Sequence, residues 1–229
     1  MRHINGEVMV VIRVVIVDDE ALVRSGFRLI LSAADDIEVA DAIDGLEAMN
    51  SIRSAKPDVV LLDIRMPGRN GLDILAEIRE MSSPPVVAIL TTFDSDEYIS
   101  QALGAGAAGF LVKDTDPEQL PTLIRSLAAG GIVLSPQVSR TVIDGYLGAG
   151  VRASSSLISA LTERERLVLA SVATGRSNAE IGAALHLSVG TIKDHVSAIL
   201  SKLGVGTRLQ AALVAERAGL TVTVPEESP

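Results

Sequence analysis

Polar side chains follow four apolar, β-branched runs in the first half of the chain. Asp18 and Asp19 follow the first run, Asp63 the second, Thr91 the third and Lys113 the fourth. Apolar runs of this length are typical of strands that are buried on both faces of a parallel sheet. Because sites in open α/β sheets form at the carboxyl ends of the strands, we expect three carboxylates, a hydroxyl and an ammonium group to meet at one sheet edge.

This combination of groups suits phosphoryl chemistry. A carboxylate can act as a nucleophile and form an aspartyl-phosphate. Mg²⁺ binds to one or two carboxylates, and a lysine can neutralise a phosphoryl oxygen. A single Asp after a strand is usually a turn residue or a helix cap, but three carboxylates with a threonine and a lysine at successive strand ends are hard to explain as caps. The residues therefore predict a magnesium-dependent phosphoryl site.

Residues 12–131 resemble the receiver domain of bacterial two-component response regulators. The resemblance rests on four motifs, at residues 17–20, 62–71, 90–94 and 110–114. It implies that Asp63 is the phosphoacceptor. It also implies that Asp19 and Asp63 coordinate Mg²⁺ directly, with Asp18 in support and the backbone carbonyl of Arg65 as a further ligand.

The same resemblance implies a switch that responds to phosphorylation. Thr91 is expected to move onto the phosphoryl group, Lys113 to pair with that group, and Phe110 to change rotamer on activation. Our hypothesis for Arg65 and Phe93 is that their bulk partly shields the acyl phosphate from water.

Composition limits the class of protein. The chain has 229 residues, of which 48% are hydrophobic and 2% aromatic, which is enough for two modest domains with aliphatic cores. The absence of Cys excludes a disulfide framework and a thiolate metal site, and fits a cytoplasmic protein. No apolar run is long enough for a membrane span, and residues 1–11 lack the layout of a signal peptide, so they are predicted to be a short N-terminal extension.

Strands and helices alternate through the first half of the chain. Helices are predicted over Ala21–Ser32, Leu46–Ser54, Leu72–Met81, Asp96–Leu103 and Pro117–Ala129. We interpret Asp44 with Glu47 as a capping box, and Asp116 with Pro117 as a cap and a first-turn proline. With a further strand near residues 38–40, the alternation predicts a flavodoxin-like, doubly wound parallel sheet of five strands in the order 2-1-3-4-5.

The two halves of the chain differ in charge. The net charge is −9, yet residues 1–160 carry 13 basic and 22 acidic side chains, whereas residues 161–220 carry 7 and 5. The C-terminal part is therefore mildly basic, and the charge of the whole chain is a poor guide to its partners. Residues 132–160 are predicted to be a linker, with a short helix over 136–146 and a flexible tether after it.

Residues 161–220 are predicted to form an all-helical domain, followed by a tail at 221–229. Two capping boxes begin its helices, Thr162 with Glu165 and Ser177 with Glu180. A short helix over 178–185 and a longer one over 189–203, joined by a tight turn, predict a helix-turn-helix. The longer helix is expected to bury five apolar side chains: Ile192, Val196, Ile199, Leu200 and Leu203.

This helical part resembles the LuxR/NarL-type DNA-binding domain through residues 161–165, 177–182 and 188–196. Together the two resemblances are specific for NarL/FixJ-type response regulators. They imply DNA contacts by side chains of the longer helix and by two arginines: Thr191, Lys193, Asp194, His195, Ser197, Arg176 and Arg208. The alternatives are a solvated helix face for Lys193 and Ser197, and a packing role for His195.

The sequence as a whole predicts a DNA-binding response regulator that catalyses only its own phosphorylation and dephosphorylation. A sensor histidine kinase, or a small phosphodonor, would phosphorylate Asp63 with Mg²⁺ bound. The activated homodimer would bind DNA at inverted half-sites, with RNA polymerase as a further partner and no membrane contact. Two alternatives remain open: a regulator of similar shape that a ligand controls instead of phosphate, and a phosphatase-like enzyme that turns over through an aspartyl-phosphate.

Overall fold

The computed structural model describes residues 2–4, 7–92, 96–135, 138–139 and 157–220. The chain divides between Val142 and Ile143 into two compact units. Within the described ranges, no helix is both long and apolar enough to cross a membrane. Most of the predicted linker helix at 136–146, the tether after it and the tail at 221–229 lie outside the described residues.

A six-stranded parallel sheet forms the centre of the first unit, and an antiparallel hairpin precedes it. The elements are β1 (Arg2–Ile4), β2 (Glu7–Met9), β3 (Ile12–Val17), α1 (Ala21–Ser32), β4 (Ile37–Ile43), α2 (Ala48–Ala55), β5 (Val59–Asp63), α3 (Gly71–Arg79), β6 (Val86–Thr91), α4 (Asp96–Ala105), β7 (Gly109–Val112), α5 (Leu120–Ala128) and β8 (Val133–Leu134).

The strand order of the sheet is β4-β3-β5-β6-β7-β8. Its first five strands follow the predicted order 2-1-3-4-5, so the doubly wound fold is confirmed. The expectation of five strands needs correction, because the sheet has a sixth strand, β8, at the start of the segment that was predicted to be linker. The β1–β2 hairpin lies within the predicted N-terminal extension.

Helices cover both faces of the sheet. On one face, α1 and α5 bury Phe27, Leu31, Ile124 and Leu127 against alternate strand residues. On the other, α2 packs against α3, and α3 packs against α4. Every residue of β5 and β7 is buried as a result, which explains why these strands are continuous apolar runs in the sequence.

The start of α2 differs from the prediction. The helix begins at Ala48, and its N-cap residue, Glu47, makes no side-chain capping bond. The Oδ1 atom of Asp44 instead accepts a hydrogen bond from the backbone N–H of Leu46, at 3.0 Å. The predicted capping box of Asp44 and Glu47 is therefore wrong, because Asp44 closes a turn and the N-cap of α2 is Glu47, three residues later.

The start of α5 also differs. The Oδ1 atom of Asp116 accepts from the backbone N–H of Glu118, as expected of a cap, but the residues that follow form a turn and the helix begins at Leu120. A proline, Pro121, still lies in the first helical turn, where its missing N–H costs nothing. The predicted cap is thus part of the turn that leads into the helix.

The second unit includes the helices α6 (Glu163–Ala173), α7 (Asn178–Leu185), α8 (Val189–Leu203) and α9 (Arg208–Arg217). Both predicted capping boxes are confirmed, and a third, formed by Thr207 and Gln210, begins α9. Helix α8 ends at Gly204, whose φ of 65° is the left-handed conformation that favours glycine.

A tight turn joins α7 to α8. His186 ends α7 in the left-handed conformation, and the N–H of Leu187 donates to the carbonyl of Gly182 at 2.9 Å. A Cβ atom at Gly182 would lie 2.7 Å from the carbonyl oxygen of Leu187, so glycine is what allows this close approach. The turn sets α7 and α8 as a helix-turn-helix.

The core side of α8 is narrower than predicted. Ile192, Ile199 and Leu203 are buried as expected, whereas Val196 and Leu200 are only half-buried. A helical period of 3.6 residues places these two side chains at the margin of the apolar stripe. The buried face is therefore a three-residue seam, and the opposite side of the helix is open.

Candidate functional site

The ends of three neighbouring strands place the predicted polar side chains together. Asp63 is the last residue of β5, Thr91 is the last residue of β6, and Lys113 directly follows β7. In the parallel ladders Asp63 pairs with Leu90, and Thr91 pairs with Val112, so the strand ends are level. A cavity of about 350 Å³ opens at this edge, lined by Asp19, Glu20, Asp63, Ile64, Arg65, Leu90, Thr91, Thr92, Tyr98 and Lys113.

The ammonium group of Lys113 lies among three carboxylates. Its Nζ atom is 2.9 Å from Oδ2 of Asp63, 2.7 Å from Oε1 of Glu20 and 3.0 Å from Oδ2 of Asp18. Burial alone would lower the pKa of Lys113, but the hydrogen bonds to these carboxylates outweigh burial and raise the pKa. Lys113 is therefore a permanent positive charge in the cavity.

Asp63 is 6% exposed, and both of its carboxylate oxygens are engaged. Oδ1 accepts from the backbone N–H of Arg65 at 3.1 Å, and Oδ2 accepts from Nζ of Lys113. These contacts fix the rotamer of a carboxylate that faces the cavity. A group held in this way is pre-oriented to act as a nucleophile.

Asp18 is fully buried beneath the cavity. Its Oδ1 atom accepts from the backbone N–H of Glu20 at 2.8 Å. Its Oδ2 atom is close enough to Lys113 for an ion pair, but it lacks hydrogen-bond geometry to any described residue. Burial raises the pKa of Asp18, although the contacts with Lys113 and Glu20 oppose that shift.

The carboxylates fit a divalent cation. One oxygen from each of Asp18, Glu20 and Asp63 lies within 4.8 Å of the others, and hard cations prefer such oxygen ligands. The buried Oδ2 atom of Asp18 already lies 3.0 Å from one cation, the Lys113 ammonium, so the cluster favours positive charge. The acidic cavity could therefore bind a metal ion.

The carboxylate cluster contains one residue that sequence reasoning missed. Glu20 joins Asp18 and Asp63 in it, and the predicted ligand Asp19 lines the same cavity. The longer side chain of Glu20 reaches Lys113, whereas Asp19 lines the cavity without joining the cluster. The signal was present in the sequence, because Glu20 is the third acidic residue of the run that Asp18 begins.

The predicted switch residues occupy different depths. Thr91 is half-buried at the wall of the cavity, whereas Phe110 is fully buried and does not line it. The guanidinium group of Arg65 donates to the hydroxyl of Thr92 at 3.1 Å and so reaches across the cavity rim. Phe93, the partner of Arg65 in the shielding hypothesis, lies outside the described residues.

A close backbone approach holds the loop after Asp63. The N–H of Gly71 donates to the carbonyl of Ile64 at 2.9 Å, and a Cβ atom at Gly71 would lie 2.1 Å from the carbonyl oxygen of Asp63. Asn70 caps α3 by accepting from the N–H of Leu72. The Asn70–Gly71 pair thus starts α3 directly against the strand end that carries Asp63.

The second unit presents the open side of α8 as a candidate DNA-binding surface. Lys193, Asp194 and Ser197 are exposed, whereas Thr191 and His195 are half-buried. Two hydroxyls on this side already have local partners: Thr191 Oγ1 lies 2.9 Å from Ser188 Oγ, and Ser197 Oγ donates to the carbonyl of Lys193. The ammonium group of Lys193 is thus the exposed positive charge at the centre of this surface.

Arg208 does not belong to that surface. It is 9% exposed, and its guanidinium group donates to Oδ1 of Asn178 at 2.7 Å and to the carbonyl of Arg176. Burial lowers the pKa of Arg208 to about 10, so the group stays charged at neutral pH. The expectation that Arg208 contacts DNA is corrected, because its hydrogen bonds tie α9 to the start of α7. Arg176 is half-buried.

An ion pair that sequence reasoning also missed joins the exposed Lys202 of α8 to the buried Glu165 of α6. Nζ of Lys202 lies 2.8 Å and 2.7 Å from the two carboxylate oxygens of Glu165. Glu165 is 5% exposed and also accepts from the backbone N–H and the hydroxyl of Thr162. The hydrogen bond from Lys202, followed by those from Thr162, lowers the pKa of Glu165.

Comparisons with known proteins agree with both halves of this description. Residues 14–125 match the response regulator receiver domain, and residues 159–215 match the bacterial regulatory proteins of the luxR family. The transcriptional regulatory proteins LiaR and LnrK of Bacillus subtilis are 36% and 35% identical to this chain. LiaR matches over 90% of this chain and 97% of its own length, and LnrK over 92% and 99%.

A solved structure covers both units as well. The crystal structure of the response regulator ChrA, of a heme-sensing two-component system, matches with a TM-score of 0.51 and 33% identity. The match covers 92% of this chain and 98% of the other.

Proposed function

Since this chain belongs to the response regulators that join a receiver domain to a LuxR-type DNA-binding domain, and is thus a transcriptional regulator of a two-component system, we propose that phosphorylation of Asp63 controls its binding to DNA. The observation that carries the proposal is the position of the Asp63 carboxylate, which faces an open cavity with the Lys113 ammonium 2.9 Å away. The phosphoryl donor is a sensor histidine kinase.

The chemistry of the proposed step follows from these groups. One carboxylate oxygen of Asp63 attacks the phosphorus of a phosphohistidine, the phosphorus–nitrogen bond breaks, and the histidine leaves with the electron pair. Lys113 offsets the charge of the phosphoryl oxygens, and Thr91, at the cavity wall, donates its hydroxyl to one of them. Asp18, Glu20 and Asp63 would hold Mg²⁺, which supplies further charge neutralisation when it is bound.

The proposed output is recognition of DNA by α8. Its open side enters the major groove, where Lys193 contacts a phosphate or a guanine edge, and Thr191 and His195 contact phosphates. A homodimer presents two such helices, which requires inverted half-sites in the DNA. Residues 161–220 carry 7 basic and 5 acidic side chains, and this net positive charge favours binding to DNA. RNA polymerase would be the next partner in transcription.

The test is capture and sequencing of sheared genomic DNA by the full chain. The protein is used alone, with beryllofluoride and Mg²⁺ as a phosphoryl mimic, and as the Asp63→Asn variant under both conditions. Enrichment of DNA that requires both the mimic and Asp63 supports the proposal and reveals the operator. Equal enrichment under every condition would reject control by phosphate, and no enrichment would reject DNA binding itself.

A further inference from the structure

Strand β8 lies at the end of the first unit, which carries Asp63, and leads into the segment before the DNA-binding unit. It consists of Val133 and Leu134, which pair in parallel with Gly109 and Phe110 of β7. The N–H of Ser135 donates to the carbonyl of Phe110 at 3.1 Å. The chain therefore leaves the sheet only after it has bonded to the backbone of β7, the strand that Lys113 follows.

The opposite end of β7 touches the carboxylate cluster. The strand has four residues, and Lys113, which follows it, is tied to Asp63 through its side chain and to the carbonyl of Thr91 through its backbone N–H. Phosphorylation of Asp63 would change the bonding partner of Lys113. Strand β7 is the covalent link between Lys113 and the β8 pairing at its other end.

The junction between β7 and β8 tolerates little displacement. A Cβ atom at Gly109 would lie 2.9 Å from the carbonyl oxygen of Val133, and one at Gly131 would lie 2.4 Å from Oγ of Ser126. This close packing leaves no room for one strand to shift along the other. The Oγ atom of Ser135 is buried and makes no hydrogen bond with any described residue, which penalises the paired state.

We propose that β8 is a releasable strand, held on the sheet while Asp63 is unmodified and freed when Asp63 is phosphorylated. Release lengthens the linker, and the DNA-binding unit gains the freedom to pair with that of a second copy. This inference rests on the proposed function and adds the structural element that carries the signal out of the receiver unit. It assigns Ser135 the role of a latch, because its N–H closes the pairing.

Two substitutions of Ser135 distinguish the role of its backbone N–H from the role of its side-chain hydroxyl. Ser135→Pro removes the N–H that donates to Phe110 while it leaves the extended backbone of Leu134 allowed. Ser135→Ala keeps that N–H and removes only the buried hydroxyl, so it is the matched control. Neither substitution touches Asp63, Lys113 or the other residues of the cavity.

The experiment measures amide hydrogen exchange of residues 132–139 and DNA affinity in the full chain, each with and without beryllofluoride and Mg²⁺. In the wild type we expect the mimic to accelerate exchange in this segment at least about tenfold. Ser135→Pro should exchange fast in both states and bind DNA without the mimic to within about threefold of the loaded wild type. Ser135→Ala should keep the response to the mimic and, because it removes the unbonded hydroxyl, should exchange no faster than the wild type in either state.

The outcomes are distinguishable. Unchanged exchange in wild-type protein whose DNA affinity does respond to the mimic would overturn β8 release and leave the proposed function intact. Wild-type affinity for Ser135→Pro would overturn it as well. No response of DNA affinity to the mimic would overturn the proposed function together with this inference. If Ser135→Pro fails to fold, the exchange data from the wild type decide alone.

Discussion

The ion pair between Glu165 and Lys202 offers a test of how α8 is held in place. Glu165→Gln is a selective perturbation, because glutamine can still complete the capping box with Thr162 through its carbonyl oxygen. Its NH₂ group must then face the Lys202 ammonium, so the ion pair is lost. Glu165→Ala removes the ion pair and the capping box together.

The exposure of Lys202 limits how much free energy of unfolding the ion pair can contribute. The side chain of Lys202 is 39% exposed, so the ion pair should contribute only about 1 kcal/mol. The unfavourable NH₂ contact adds to this loss, and we expect Glu165→Gln to lower the free energy of unfolding by about 1–2 kcal/mol. Glu165→Ala should cost about 1 kcal/mol more, which is the typical value of an N-terminal cap.

The effect should also depend on pH. The pKa of Glu165 is lowered in the folded protein, so its ionised form stabilises the fold above the ordinary glutamate value of 4.5. That contribution is lost as the pH falls through the lowered pKa. The difference in stability between the wild type and Glu165→Gln should therefore shrink as the pH falls below 4.5.

Amide hydrogen exchange in α6 and α8 of the full chain is the suitable assay, since residues 161–220 contain no Phe, Tyr or Trp. A double-mutant cycle with Lys202→Met, measured at neutral and acidic pH, isolates the coupling. We expect a coupling free energy between Glu165 and Lys202 of about 0.5–1 kcal/mol at neutral pH. A coupling below about 0.3 kcal/mol, or one that is the same at both pH values, would refute the ion-pair account.

Three further outcomes are expected. Gly71→Ala should destabilise the receiver unit by more than about 2 kcal/mol in thermal unfolding, because its Cβ would overlap the carbonyl of Asp63; a wild-type melting temperature would contradict this. Arg65→Ala, which loses the bond to Thr92, should shorten the lifetime of the acyl phosphate, whereas an unchanged dephosphorylation half-life would discard shielding. Lys193→Ala should weaken binding to all DNA sequences and reduce the salt slope by about 1, and an unchanged slope would remove it from the interface.

Prediction from the sequence was most accurate for the elements that have one strong physical signal. Buried parallel strands are long apolar runs, so the ends that carry Asp63 and Thr91 were located to the residue. Strand β8 was missed because two residues carry no periodicity, and its pairing depends on the distant Gly109. The capping box at Asp44 failed because a local pattern does not specify where a turn ends.

The side-chain arrangement of the sites was less predictable than the strands. Glu20 joins the carboxylate cluster because its length matches the distance to Lys113, which depends on how far β7 lies from β3 across the sheet. Arg208 has the sequence context of a surface arginine, and only its hydrogen bonds to Asn178 and to the carbonyl of Arg176 hold its guanidinium inward. Both outcomes are set by tertiary contacts between residues far apart in the chain.

The position of Tyr98 gives this protein an optical reporter of its own. Its side chain lines the cavity beside Asp63, and it is 37% exposed. The chain has no Trp and two Tyr, of which the other, Tyr146, lies outside the described residues. With no indole to accept energy, the ultraviolet emission arises from phenol rings alone. Binding in the cavity can thus be followed by tyrosine fluorescence without a label. In the Tyr146→Phe variant Tyr98 is the one remaining tyrosine, and the Tyr98→Phe variant, which has no tyrosine in the cavity, is the control.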